Sequence, residues 1–125
     1  MASFSAAVLN YLLGERRLGR LATADATGQP HVVPVGWRYN LELGTIDVSG
    51  RNFAATKKFR NVKANPQAAF VVDDVLPPWR PRSVMVQGRA QALEVPEHSG
   101  AGGGGGMIRI IPDKIVSWGL QASDR

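Results

Sequence analysis

Ser49, Gly50, Arg51 and Asn52, followed by Thr56, Lys57 and Lys58, set a glycine turn, hydroxyls and cations where a short alternating strand gives way to a helical stripe. The first turn of a helix offers unpaired backbone N–H groups and the positive end of its dipole, so a phosphate is held there with little reorganisation. Basic side chains strengthen such a site. The spacing of a Walker loop is absent, and so is a GxGxxG dinucleotide fingerprint. A capped helix with solvated lysines accounts for the same residues without any ligand.

A second candidate is the run His31, Val32, Val33, Pro34, Val35, Gly36 and Trp37. A proline inside a strand cannot donate to the ladder, and a glycine lets another group come close to the backbone. A flat ligand fits there, and an edge strand with a bulge fits equally. His31 and His98 are the only histidines, which argues against a histidine-rich metal site. His31 is a candidate proton donor in a redox step, although a lone strand histidine also serves as surface or satisfied core. No G-x-S-x-G elbow marks a hydrolase. Trp79, in Pro77-Pro78-Trp79-Arg80-Pro81, and Trp118, near the end of an apolar run, sit at element ends, where large rings anchor interfaces, floor pockets or cap a core.

Charge is distributed unevenly. The net charge is +5, and no acidic residue lies between Asp47 and Asp73, an interval that holds Arg51, Lys57, Lys58, Arg60 and Lys63. Such a patch attracts an anion, either nucleic acid or a small phosphorylated ligand; a solvated helix face is the plain alternative. The basic cluster lacks interleaved aromatics, and no helix-turn-helix or RNP-like pattern occurs, so no nucleic-acid partner is expected.

These groups need a scaffold, and the 125 residues suffice for one domain, 1–125. With 44% hydrophobic and 20% charged residues the composition is that of a globular chain. The absence of cysteine removes disulfides, thiolate metal sites and thiol nucleophiles, and fits a reducing cytoplasm. No run approaches the roughly 20 apolar residues of a membrane helix, and no signal-peptide pattern opens the chain, so a soluble cytoplasmic protein without a membrane partner is expected.

Phe4, Val8 and Leu12 fall at helical spacing behind a Ser3 or Ser5 cap, with Gly14 as the stop, giving a helix within residues 1–15 that packs as a lid. Extended runs at Arg17–Ala24 and Gln29–Tyr39 flank the turn residues Asp25 and Gly28, which predicts a hairpin. Thr45–Ser49 is a third strand. Ala55, Phe59 and Val62 define a helix over Asn52–Asn65, capped by Asn52 and stopped by Pro66. Gln67–Asp73, Arg82–Glu94 and Met107–Trp118 complete six strands, the last with a bend or bulge at Pro112, Asp113 and Lys114. Residues 95–106, with five consecutive glycines, read as a flexible loop. Without repeated strand–helix–strand alternation, the economical fold is a mainly β protein with two or more short helices: a six-stranded antiparallel barrel with a helix over one end or a gap in the wall.

The ordered set Gly19-Arg20-Leu21-Ala22-Thr23, Pro30 to Gly36, Gly50-Arg51 with Thr56-Lys57-Lys58-Phe59-Arg60-Asn61, Val72 to Arg82, Gly88-Arg89-Ala90, Ile108-Arg109-Ile110 and Ile115 to Leu120 resembles the pyridoxamine-5'-phosphate-oxidase-like split β-barrel superfamily. More narrowly it is similar to the branch that uses the deazaflavin coenzyme F420, near the reductases of the tetracycline-pathway type. The resemblance runs from about Leu18 to Leu120.

That resemblance implies a homodimeric split barrel, typical of actinobacterial proteins, with cofactor sites at the subunit interface. It assigns Lys58 and Arg51 to the cofactor's phosphate, with Ser49, Gly50, Thr56 and Lys57 supporting. It assigns Val33, Pro34, Val35, Gly36 and Trp37 to the ring; Trp79 and Trp118, placed at element ends, complete the expected cofactor-binding set. It implies hydride transfer from the reduced deazaflavin to an electron-poor alkene, carbonyl or quinone-like small molecule, with His31, Tyr39 or a water supplying the proton. The catalytic residue stays unassigned, and no metal is implied. Two alternatives accompany it: an FMN-dependent oxidoreductase on the same barrel, and a binding protein for flavin, deazaflavin or haem without turnover. The ending Gln121 to Arg125 leaves no room for the longer C-terminal substrate segment of true pyridoxamine-phosphate oxidases, so that activity is not expected.

Overall fold

The computed structural model describes residues 1–94 and 105–120. Period-two alternation builds seven strands: β1 (Gly19–Ala24), β2 (Pro30–Val35), β3 (Arg38–Asn40), β4 (Thr45–Ser49), β5 (Gln67–Leu76), β6 (Arg80–Glu94) and β7 (Gly106–Trp118). Two helices accompany them, α1 (Ala6–Gly14) and α2 (Lys57–Ala64), with a 3-10 turn at Phe53–Ala55 ahead of α2.

The strands form one antiparallel sheet in the order β2-β1-β5-β6-β7-β4-β3. Its edge strands, β2 and β3, are consecutive in the chain and joined only by Gly36 and Trp37, so the sheet coils until its two edges meet at that bend. One face turns inward: Leu21, Val35, Ile46, Val48, Phe70, Val72, Val84, Val86, Ile108 and Ile110 share a single buried cluster. This is a split β-barrel. The apolar stripe of α2, Phe59 and Val62, packs against β1, β6 and β7. Phe53, Phe59 and Phe70 are fully buried, each stabilising the fold by roughly 1.5–3 kcal/mol.

Seven strands replace the expected six because the run Gln29–Tyr39 breaks at Gly36-Trp37. There the Trp37 indole turns in, donates from Nε1 to the Arg17 carbonyl at 2.8 Å and meets Phe70 edge-on at 5.5 Å. The expected cap of α2 also moves. Asn52 adopts left-handed φ 50° and makes no side-chain cap bond, whereas Thr56 accepts from Phe59 N at 3.3 Å. The segment between them is the 3-10 turn, so the helix starts four residues later than its apolar stripe suggests.

Other expectations hold. Ser5, not Ser3, caps α1, whose buried residues are Val8, Tyr11 and Leu12. Asp25 Oδ1 accepts from Thr27 N, Thr27 Oγ1 and Gln29 N, and Gly28 takes φ +92° in the β1–β2 turn. The β6–β7 register pairs Gln87 with Lys114 but Gly88 with Pro112, leaving Asp113 as the extra residue of a bulge. Gly88 is required opposite it, since a Cβ there would lie 1.9 Å from Ile111 O. Residues 95–104 of the glycine-rich stretch, with His98, and residues 121–125 lie outside the described residues. Gly106, expected in the loop, begins β7 opposite Glu94, where a Cβ would meet the Phe59 ring at 3.0 Å.

Candidate functional site

The β3–β4 register pairs Arg38 with Asp47 and Tyr39 with Ile46. β3 begins at the end of that ladder where β4 finishes. The bend that joins the sheet's edges and the turn that leaves β4 for α2 therefore lie at the same end of the barrel wall. Two of the sequence candidates, Val35-Gly36-Trp37 and Ser49-Gly50-Arg51, flank that end of the ladder.

Phe53 organises the second of these. Its ring lies 3.7 Å from where a Gly50 Cβ would be, and the Lys58 ammonium stands 4.9 Å from its centroid. A buried ring thus holds the glycine turn and the lysine in one locus. Lys58 is half-buried, and that burial lowers its pKa from the ordinary lysine value. No ion pair engages Lys58, Arg51 or Lys57 among the described residues. Arg51 and Lys57 are exposed. Thr56 is less available: its hydroxyl donates to Phe53 O at 2.7 Å and accepts from Phe59 N, so its only proton is committed to the cap. Arg60 bonds Ala55 O at 2.8 Å and fastens the 3-10 turn. Sequence reading missed Phe53 as the organiser, because it falls outside the helical stripe of Ala55, Phe59 and Val62.

Along β2 the side chains alternate. Val33 and Val35 face the core side, with Val35 buried, while Val32 and Pro34 face outward. Gly36 is exposed, and a Cβ on it would meet nothing within 4 Å, so its backbone is bare. Gly36, Trp37 and Tyr39 line a cavity of about 390 Å³ closed on its other side by the end of α1 and the connection to β1. Tyr39 is itself held edge-on by Phe4 at 5.2 Å.

Three candidates lie apart within one chain. His31 pairs with Thr23, four residues from Val35, or roughly 13 Å of strand. Its Nδ1 is buried with no hydrogen-bond partner, while neighbouring Thr23 Oγ1 accepts from Asn61 Nδ2 at 3.1 Å. Trp118 pairs with Ser83, eleven residues along β7 from Met107, the partner of Ser49. Trp79 occupies the β5–β6 turn. At 76% and 53% exposure Trp79 and Trp118 do not cap the core, since the strands they close extend beyond it.

Two polar clusters brace the site. Asp47 is buried, and burial alone would raise its pKa. Bonds from Arg109 Nε and Nη2 (both 3.1 Å), Asn40 (3.0 Å) and Thr45 (2.9 Å) outweigh it and hold the carboxyl below its ordinary value. Asp74 binds Arg82 at 2.9 and 2.5 Å, Arg17 at 3.1 Å and the Tyr11 hydroxyl at 3.0 Å, tying α1 to β5 and β6. Burial first, then the bond to Asp74, push the Tyr11 hydroxyl up to about 12.

An unpaired half-buried lysine beside a glycine turn suits an anionic arm, and the exposed Gly36 backbone beside the Trp37 indole suits a flat ring. Comparison with known proteins narrows this. The model of the family described as pyridoxamine 5'-phosphate oxidase matches residues 6–102. The chain belongs to the pyridoxamine 5'-phosphate oxidase family. It is 46% identical over 110 residues to the 5a,11a-dehydrotetracycline/5a,11a-dehydrooxytetracycline reductase of Streptomyces rimosus, covering 82% of this chain and 75% of that protein. Among solved structures, a conserved hypothetical protein of Mycobacterium tuberculosis superposes with a TM-score of 0.74 at 21% identity, over 94% of this chain and 86% of that one. An FAD-binding protein of Mesorhizobium loti superposes with a TM-score of 0.68 at 25% identity, over 90% and 91%. The split barrel of this family member is thereby common to chains of widely different sequence. Among its described residues no helix is long and apolar enough to cross a membrane, and no group of three or more acidic or histidine side chains is set to hold a metal ion.

Proposed function

We propose that this family member is an oxidoreductase that binds the deazaflavin coenzyme F420 and reduces an electron-poor alkene, carbonyl or quinone-like small molecule. The 46% identity to a dehydrotetracycline reductase carries the reading. When bound, the reduced coenzyme supplies hydride.

The chain's own work is binding, orientation and exclusion of water. Lys58, backed by Phe53, and Arg51 bind the phosphate arm, with Ser49, Gly50, Thr56 and Lys57 around it; the bare N–H groups of Lys57 and Lys58 add donors at the start of α2. The ring lies against Pro34 and the exposed Gly36 backbone beside Trp37, with Val33 and Val35 supporting that strand from the core side. Tyr39, beside Gly36 in the cavity wall, is the better sited proton donor. His31 Nδ1, buried and roughly 13 Å along β2 from Val35, serves less well. Trp79 and Trp118 lie too far along the strands to meet the phosphate locus of their own chain. Their part in the cofactor site therefore calls for a second copy, in keeping with a homodimer. The setting is a cytoplasmic one.

Turnover tests the reading. Reduced F420 mixed with the protein is expected to oxidise only when an α,β-unsaturated ketone is added, with loss of that activity in Lys58→Ala at limiting coenzyme. Oxidation of reduced FMN but not of reduced F420 would instead favour a flavin enzyme, the second reading, which the FAD-binding relative of 25% identity motivates.

A further inference from the structure

The run of five consecutive glycines ends at Gly106, which opens β7 and is buried. A Cβ there would stand 3.0 Å from the Phe59 ring, 3.3 Å from the Ala54 Cβ and 3.3 Å from the Ala54 backbone nitrogen. Packed side chains rarely come so close. The bare Cα of Gly106 is therefore the seat on which the 3-10 turn Phe53–Ala55 rests.

Of the two neighbours, the turn is the one that yields. Phe59 is fully buried, meets Phe53 edge-on at 6.0 Å and belongs to the α2 stripe that packs on β1, β6 and β7, so moving it costs core packing. Ala54 is half-buried and Ala55 exposed, which leaves the turn solvent to move into. Phe53, in the same turn, moves with them, and its carbonyl is the acceptor of the Thr56 hydroxyl that caps α2.

Phe53 is also the residue that assembles the anion locus. Its ring lies 3.7 Å from a Gly50 Cβ and 4.9 Å from the Lys58 ammonium. A displacement of the turn is thus passed to the glycine turn and the lysine together, and a binding constellation has to be held within roughly 0.5 Å of its working geometry.

We propose that Gly106 is a positioning residue for the anion locus: by carrying no side chain it lets the 3-10 turn settle onto β7 and so brings Phe53, Lys58 and Gly50 to the place where a phosphate is bound. It touches no ligand itself. The proposal rests on the assignment of Lys58 and Arg51 to the coenzyme's phosphate.

Ligands that differ only in the phosphate-bearing arm isolate this role. F420 is compared with its phosphate-free deazaflavin–ribitol fragment, and FMN with riboflavin, by fluorescence titration beside thermal melting. The parent is expected to prefer the phosphorylated member of a pair. In Gly106→Ala that member should weaken by about tenfold, the loss of one charge-assisted bond, while the phosphate-free member changes by less than about twofold. Combining Gly106→Ala with Lys58→Ala should leave affinity within about twofold of Lys58→Ala alone, because the glycine acts through the lysine. Ala54→Val crowds the same seat from the side of the turn and is expected to reproduce the selective loss, which keeps the test decisive if Gly106→Ala does not fold. Equal weakening of both members of a pair, unchanged affinity in a folded variant, or additive losses with Lys58→Ala overturns the proposal and leaves the phosphate assignment standing. A parent that binds phosphorylated and phosphate-free ligands equally, or binds neither pair, removes the phosphate assignment itself and this role of Gly106 with it.

Discussion

The ammonium of Lys58 stands 4.9 Å from the centroid of the buried Phe53 ring, with no carboxylate paired to it among the described residues. The ring supports the cation, but it cannot neutralise it. Partial burial lowers the lysine's pKa, and an uncompensated cation is what the proposed phosphate assignment requires. Replacing Lys58 by Ala is expected to weaken F420 binding by about tenfold or more, the worth of a charge-assisted bond. It should cost the fold less than about 1 kcal/mol, since only a cation–π contact is lost. Coenzyme fluorescence titration beside thermal melting separates the two effects; unchanged affinity contradicts the phosphate assignment.

Gly36 makes the complementary prediction for the ring. Because a Cβ at Gly36 meets nothing within 4 Å and its φ is not in the left-handed region, Gly36→Val should leave stability within about 0.5 kcal/mol of the parent. The added side chain nevertheless occupies the space beside Trp37. Coenzyme affinity is expected to fall while the melting curve stays in place, and an equal drop in both would point to a purely structural glycine.

Much of this arrangement was legible in the residues and some was not. Asp25 and Gly28 announced their hairpin because each does something no other residue does as well: one folds its carboxylate over its own turn, the other takes a positive φ. The bulge at Asp113 was legible from Pro112, though its obligatory partner Gly88 was not, since the close approach to Ile111 O is made across the sheet. The break after Val35 escaped because a long-range bond, Trp37 to Arg17, interrupts a run whose local pattern continues. Asn52 resembles a cap in type, yet the 3-10 turn hands that task to Thr56. The cations and the glycine turn of the site could be named in advance, whereas Phe53, which assembles them, carried no signal beyond its hydrophobicity. Trp79 and Trp118, also candidates for the cofactor, stand away from these residues within one chain.

Gly19 tests the packing behind the bend. A Cβ on it would sit 2.3 and 2.5 Å from the Phe70 ring and 3.2 Å from the Trp37 indole. Gly19→Ala is expected to destabilise the protein by roughly 1–3 kcal/mol through overpacking, read by chemical denaturation, and to change the emission of Trp37. A variant as stable as the parent would mean that Phe70 and Trp37 are not wedged together as described.

Asp74 supplies the pH dependence. Its bonds, those from Arg82 foremost, hold its carboxyl at about 2, below the ordinary 3.8. The folded state thus favours the charged form, so this contribution is complete above the unfolded value near 4 and disappears as pH falls towards 2. It is worth about 2 kcal/mol at neutral pH. The stability gap between parent and Asp74→Asn is therefore expected to be widest near neutrality and to close between pH 4 and pH 2. A gap that persists unchanged at pH 2 would contradict the ionic role of this carboxylate in fastening α1.

The most direct test of the account is a titration of the purified protein with F420 and, under the same conditions, with FMN, followed by tryptophan quenching and cofactor fluorescence. Saturable binding of F420, tighter than that of FMN and weakened in Lys58→Ala, is the result the account predicts. Tighter binding of FMN, or saturable binding of neither, would contradict it.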